Sequence, residues 1–291
     1  MQEKGGGSQR GNPRGEPMKM RMFLVVMSAL VALGSEATAV QFGGVREFYA
    51  YPSLQYFTWE EFLGGRRLLQ EKGLLYGAGV AVALDLLQTD AGVLTLRGKG
   101  ELFGGVVDYD GQTQTSLPTK TDVSYFGTRE EGGVGWAFPL ASSRIEPFVG
   151  LGYRWWLRDI HDATTTDPSQ PGMIQARGYT EHWESAYTKL GMAFSHLLSR
   201  EWRLFAEAGG KYPFYNANTF DSGTGTVTVK PEPRWSAFAE LGARYRLLRL
   251  ALFYEGYRVD QSPVRRVGMT EFLQPQSNED IVGVSVAWCF R

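Results

Sequence analysis

Asp280-Ile-Val-Gly-Val-Ser-Val-Ala-Trp-Cys-Phe-Arg291 ends the sequence. In an extended strand, successive side chains point to opposite faces, so Val284, Val286, Trp288 and Phe290 share one side. Gly283, Ser285, Ala287 and Cys289 share the other. One face is large and apolar and ends in aromatics; the other is small. Such a strand suits lipid on one side and a crowded interior on the other.

The same period of two recurs through most of the chain. Tyr76, Ala78, Val80, Val82, Leu84 and Leu86 oppose Gly77, Gly79, Ala81, Ala83 and Asp85. Leu94, Leu96, Leu102 and Val106 oppose Thr95, Arg97, Lys99 and Glu101. Val134, Trp136, Phe138 and Leu140 oppose Glu131, Gly133 and Gly135; Val149, Leu151, Tyr153, Trp155 and Leu157 oppose Glu146, Gly150, Gly152, Arg154 and Trp156. Segments around 185–194, 202–211, 235–245 and 250–255 repeat the design. The first strand is expected at about 45–59, where Pro52 suits an edge or a bulge.

Soluble sandwiches alternate too, so the connections and the aromatics decide. Tight turns are expected near 88–92, 141–143, 198–201 and 247–249; long polar loops are expected at 60–73, 108–121, 159–178, 216–232 and 262–278. Short turns at one end and long loops at the other describe an outer-membrane barrel with periplasmic turns. Trp136, Phe138, Trp155, Trp202, Trp235, Tyr254, Trp288 and Phe290 gather near strand ends, where interfacial girdles lie. The expected fold is all-β: a transmembrane antiparallel β-barrel of about ten strands, spanning residues 40–291, with long extracellular loops and short periplasmic turns.

Residues 1–39 are excluded from that fold. Met18-Lys-Met-Arg-Met begins a positive segment, Phe23 to Leu33 supplies a short apolar core, and Ala37-Thr-Ala39 reads as a cleavage site. These are the parts of a secretory signal peptide, with Val40 the expected first mature residue and either Met1 or Met18 the start. Beyond residue 40 no run of eighteen apolar residues suggests a spanning helix. Lys+Arg at 30 against Asp+Glu at 31 gives no basic surface for nucleic acid. A single cysteine excludes an intrachain disulfide, and His161, His182 and His196 show no metal-ligand spacing, so no metal or cofactor is expected.

The inward-facing charges carry the most chemistry. Asp85, Glu101, Glu131, Glu146, Glu207, Glu240 and Glu255 stand against Arg97, Lys99, Arg129, Arg154, Lys189, Arg203, Lys211 and Arg244. Their signs nearly cancel, which in a narrow interior points to a network of pairs bridging the lumen. A selective pore more often carries one sign in excess. Two readings follow: a polar plug that holds a structural or surface-interaction barrel together, and a narrow porin-like channel for small solutes. Glu181-His182-Trp183-Glu184 is expected at the outer rim, with Trp183 at the interface; Trp155 is expected outward and Trp156 inward. Thr164-Thr-Thr166 and Ser222-Gly-Thr-Gly-Thr226 read as loop composition.

The terminal strand, with its internal glycine and alternate large residues, resembles the C-terminal signal of bacterial outer-membrane barrels, although Arg291 follows the last aromatic. The chain as a whole resembles small outer-membrane barrels of the opacity-protein and porin-like class. That likeness implies a bacterial outer-membrane location, contact with lipid and lipopolysaccharide, and assembly by the barrel-folding machinery through the last strand. A narrower resemblance is to omptins, ten-stranded outer-membrane endoproteases, carried by Asp108-Tyr-Asp110 and Asp159-Ile-His161. It implies Asp108 and Asp110 as a carboxylate pair, and Asp159 orienting His161 as general base. The leading expectation remains a non-enzymatic barrel.

Overall fold

The computed structural model describes residues 43–113, 116–166, 172–223 and 225–290. The expected signal peptide and Arg291 lie outside the described residues. Ten long strands build the fold: β1 (Val45–Leu63), β2 (Arg66–Thr89), β3 (Gly92–Gln112), β4 (Pro118–Leu140) and β5 (Ser143–Ile160). The second half comprises β6 (Tyr179–Leu197), β7 (Trp202–Asp221), β8 (Ser236–Tyr245), β9 (Leu248–Asp260) and β10 (Gln276–Phe290). Each pairs antiparallel with its sequence neighbours, and β10 pairs with β1 from Phe48–Phe290 to Phe62–Gln276, closing the ring. Closure leaves no sheet edge, the only way a sheet can satisfy its backbone in lipid.

The faces follow the parity of the sequence. On β10, Val284, Val286, Trp288 and Phe290 are exposed outward while Ser285, Ala287 and Cys289 are buried inward. On β1 to β4 the apolar outward residues Tyr56, Leu74, Val106 and Phe126 are followed, toward the outer end, by the polar Thr58, Lys72, Asp108 and Ser124. That change of outward chemistry marks the outer edge of the lipid band. Two girdles frame the band. Phe48 and Phe290 (ring centroids 5.0 Å apart), Trp202 and Tyr245 (4.9 Å), Trp136, Phe138 and Trp288 stand at the periplasmic end. Phe126 and Trp155 (6.2 Å), Tyr212 and Trp235 (5.1 Å) and Tyr254 stand at the outer end.

β2 is 24 residues long, where a tilted strand needs only about 9–11 to span. The excess continues the barrel wall outside the membrane, and most of the expected long loops are part of that wall. Residues 60–73 are strand on both sides of a two-residue turn, Gly64-Gly65, whose φ angles of 58° and 80° suit glycine. β7 folds back on itself, Asn218–Asp221 pairing with Thr226–Val229. The stretch after β5 contains a hairpin of Ala163–Thr166 with Met173–Ala176, and that after β9 one of Arg265–Val267 with Thr270–Phe272. Residues 164–166 and 226 are thus strand, not loop. Alternation of apolar with polar residues ends where lipid ends, while hydrogen-bonded strand does not. Pro52 sits at neither an edge nor a bulge: it pairs with Ala78 of β2, and the β10 ladder passes from Ala50–Trp288 to Ser53–Ser285 around it.

Candidate functional site

The lumen is crossed by ion pairs at three levels. In a ring of ten strands, β3 faces β8, β4 faces β9 and β5 faces β10. Lys99 Nζ on β3 lies 3.7 Å from Glu240 Oε2 on β8, and Arg129 Nη1 on β4 lies 3.4 Å from Glu255 Oε1 on β9. Arg154 on β5 meets Glu279 on β10 through two parallel bonds of 2.6 and 2.7 Å, both side chains buried. A fork-to-fork pair is the strongest geometry available to arginine and carboxylate. Inward glycines make room for the large lumen side chains: a Cβ at Gly152 would stand 2.3 Å from the Tyr187 ring.

Around these bridges every other inward charge of β3 to β6 finds a partner. Arg97 contacts Glu207 and, at 3.9 Å, Glu146; Lys189 lies 2.8 Å from Glu131 and 3.4 Å from Glu207. Glu101 accepts from Tyr51 (2.8 Å) and Gln55 (2.6 Å) and pairs with Arg129 at 3.2 Å; Lys211 pairs with Glu255. Toward the periplasm, Asp85 lies 3.1 Å from Arg46 and 2.8 Å from Arg144, Glu146 lies 2.8 Å from Arg46, and Arg249 lies 2.5 Å from Glu240. Arg244 lies 3.5 Å from Glu47, with half-buried Arg203 directly across the strand pair from it. A cavity of about 120 Å³ in the periplasmic half is lined by Arg97, Lys99, Lys189, Glu207, Glu240 and Arg249, among others.

Above the Arg154 bridge the lumen is packed. Trp156 and Trp183 stack at 5.3 Å with planes 9° apart, and Trp59 meets Trp183 edge-on at 5.3 Å. Arg154 lies 4.4 Å over Trp156 and 4.4 Å from Tyr257, a desolvated cation held by aromatic faces. Beyond it, Arg158 gathers Glu61, Glu71 and Glu181, with Tyr125 donating to Glu71 at 2.5 Å. This cluster stands outside the lipid band, level with polar outward residues. Burial pushes the Glu61 carboxyl up to about 7; Arg158 pulls it down, and Glu181 adds to the upward push.

Sequence reasoning left Arg46, Glu47, Glu61, Glu71, Arg144, Arg158, Arg249 and Glu279 out of the inward charges, and it placed Glu181 at the outer rim without recognising that it faces inward. Glu61 and Glu71 were hidden in a segment read as loop, although their odd numbering matches buried Trp59 and Leu69. Trp183, expected at the interface, is buried inward with Glu181 because it shares the parity of Ser185; His182 is exposed outward. Trp155 faces out and Trp156 in.

The omptin-type residues do not converge. Asp108 and Asp110 have the parity of outward Val106, and Asp159 that of outward Leu157, so these three carboxylates leave the barrel wall away from the lumen. Asp110 lies 3.2 Å from Lys120, Asp159 accepts from Thr180 at 2.5 Å, and His161 Nε2 meets Ser124 Oγ at 2.9 Å. Asp159 therefore pairs with Thr180, against the expectation that it orients His161.

Among protein families, the autotransporter β-domain matches residues 96–257. Among solved structures, the outer membrane protease OmpT from Escherichia coli is 11% identical with a TM-score of 0.53, covering 87% of this chain and 99% of its own. The translocator domain of the autotransporter NalP from Neisseria meningitidis is 14% identical with a TM-score of 0.44, covering 94% and 96%. An outer membrane channel from Pseudomonas putida F1 is 10% identical with a TM-score of 0.37, covering 88% and 100%. No curated protein matches the chain in sequence. At these identities the likeness to OmpT is one of fold.

Proposed function

This chain belongs to the autotransporter β-domain family, and from that premise we propose that it is a closed-lumen, non-enzymatic barrel of the bacterial outer membrane, working through its extramembrane outer end. The observation that carries this reading is the buried Arg154–Glu279 pair, which joins opposite walls. A selective pore arranges charge of one sign along an open path. Here charges of opposite sign meet across the diameter, and the aromatic cluster of Trp59, Trp156 and Trp183 lies above them. Support for a non-enzymatic barrel comes from Asp108, Asp110, Asp159 and His161, which stand on or beyond the outward wall, the last three held by structural partners.

Lipid covers the outward apolar band. Lipopolysaccharide is the proposed neighbour of the outer girdle at Trp155 and Trp235. The barrel-folding machinery is the proposed reader of β10, whose alternate large residues run to Phe290.

The test is single-channel recording of the refolded barrel in a planar bilayer, with a heat-modifiable gel shift as proof of folding. Silence from folded protein is expected; discrete conductance steps overturn the closed lumen. The periplasmic cavity favours a narrow channel as the second reading, in which neutralising Arg154 or Glu207 changes ion selectivity.

A further inference from the structure

Three buried carboxyls share one cation at the outer end of the lumen. Arg158 Nη1 lies 2.9 Å from Glu181 Oε2 and 3.6 Å from Glu61 Oε1, and Nε lies 2.9 Å from Glu71 Oε1. Arg158 and Glu71 are 1% and 0% exposed, Glu181 and Glu61 4% and 6%. Fully ionised, the group holds two negative charges in excess where water is largely shut out, an expensive arrangement. The cation just below, Arg154, is committed to Glu279.

Among the described residues, the other groups facing the cluster bring hydrogen-bond donors and no positive charge. Trp59 on β1 donates to Glu61 (3.0 Å), Tyr125 on β4 to Glu71, and Trp183 on β6 to Glu181 (2.8 Å). Gln274, just before β10, donates to Glu61 at 3.1 Å, and the Tyr109 and Tyr179 hydroxyls lie close enough to sense its charge. Of the three carboxyls, Glu61 has the most distant guanidinium. Trp59, Gln274 and Arg158 all address its Oε1, so a proton on Oε2 leaves each contact intact and removes one charge that Glu71 and Glu181 repel.

We propose that Glu61 is a proton-binding site whose proton locks the outer cap of the lumen. Gln274 belongs to the segment joining β9 to β10 and also bonds Ser262, Asn218 (2.9 Å) and Ser277 (3.3 Å), so Glu61 is where β1 is tied to that segment. Losing the proton restores the repulsion within the cap, which is relieved by water entering and the cap loosening. The sign follows from the titration already described: a carboxyl near 7 when folded and about 4.3 when unfolded stabilises the locked form at low pH, and that stabilisation is lost as pH rises through neutrality. The site depends on the packed cap and not on whether the lumen conducts, so the bilayer result and this one can fail separately.

The experiment is infrared spectroscopy of the protonated-carboxyl C=O stretch of the full refolded barrel in micelles, with acrylamide quenching of tryptophan fluorescence over the same titration. A signal present near about pH 6 and gone by about pH 8, with quenching rising in step, is expected for the wild type. E61Q should lack the signal and show quenching independent of pH. Absence of the signal in folded wild type, or its persistence in E61Q, overturns the proposal. If E61Q shows no heat-modifiable shift, E181Q reads the same site: with a repelling charge removed, the Glu61 signal should fade at lower pH, and an unmoved midpoint overturns the proposal.

Discussion

Arg154 shows what one residue contributes to this lumen. Its guanidinium is forked onto Glu279 and flanked by Phe103, Trp156 and Tyr257, so its charge is compensated entirely by fixed neighbours. Replacing one member of a buried pair leaves the other as an uncompensated charge, which costs about 3–5 kcal/mol, whereas replacing both with apolar groups of similar volume is often close to neutral. Arg154→Met is therefore expected to lower the stability of the barrel by about that amount, and Arg154→Met combined with Glu279→Met to recover most of it. Urea unfolding in lipid vesicles measures both. Equal loss in the single and double variants would show that Arg154 acts by packing alone.

At the scale of the element, strand length and strand chemistry part company. β1 and β2 run well past the lipid-facing Tyr56 and Leu74, paired up to Leu63–Arg66 and linked by the two-residue turn Gly64-Gly65. A methyl at Gly65 would meet open space, so the cost of Gly65→Ala is that of a left-handed backbone at φ 80° alone, about 1–2 kcal/mol. Thermal unfolding should register that loss with the bilayer-spanning part intact; no loss would mean that the turn adopts another conformation. The hairpin keeps Glu61 and Glu71 facing Arg158, so its rigidity underlies the proton site.

For the whole molecule, the decisive property is a closed sheet whose two faces meet opposite solvents. Val149 and Leu151 lie outward in the lipid band, while Gly150 between them and Gly152 after them turn inward. Arginine at Val149 would stand in hydrocarbon, at a cost of about 2–4 kcal/mol if near the midplane. Val149→Arg is expected to shift the unfolding midpoint in thick bilayers more than in micelles, where the head group reaches water. An equal shift in both would place Val149 outside the hydrocarbon.

The sequence by itself determined the class of fold, the compartment, the face of nearly every membrane-spanning residue and the near-cancellation of inward charge. A strand's parity is local, and lipid on one side imposes it residue by residue. It also exposed the outward parity of Asp108, Asp110 and Asp159, a signal that the omptin resemblance overrode. Tertiary structure alone decided which charges pair. Arg154 and Glu279 are 125 residues apart and meet only because ten strands close with β5 opposite β10. It also decided where strands end, because beyond the membrane no lipid remains to write its alternation into the chain while hydrogen bonding carries the wall outward. Glu61, Glu71 and Arg158 lie in that outer wall, where period-two hydrophobicity fades and only the packed interior shows which side chains face it.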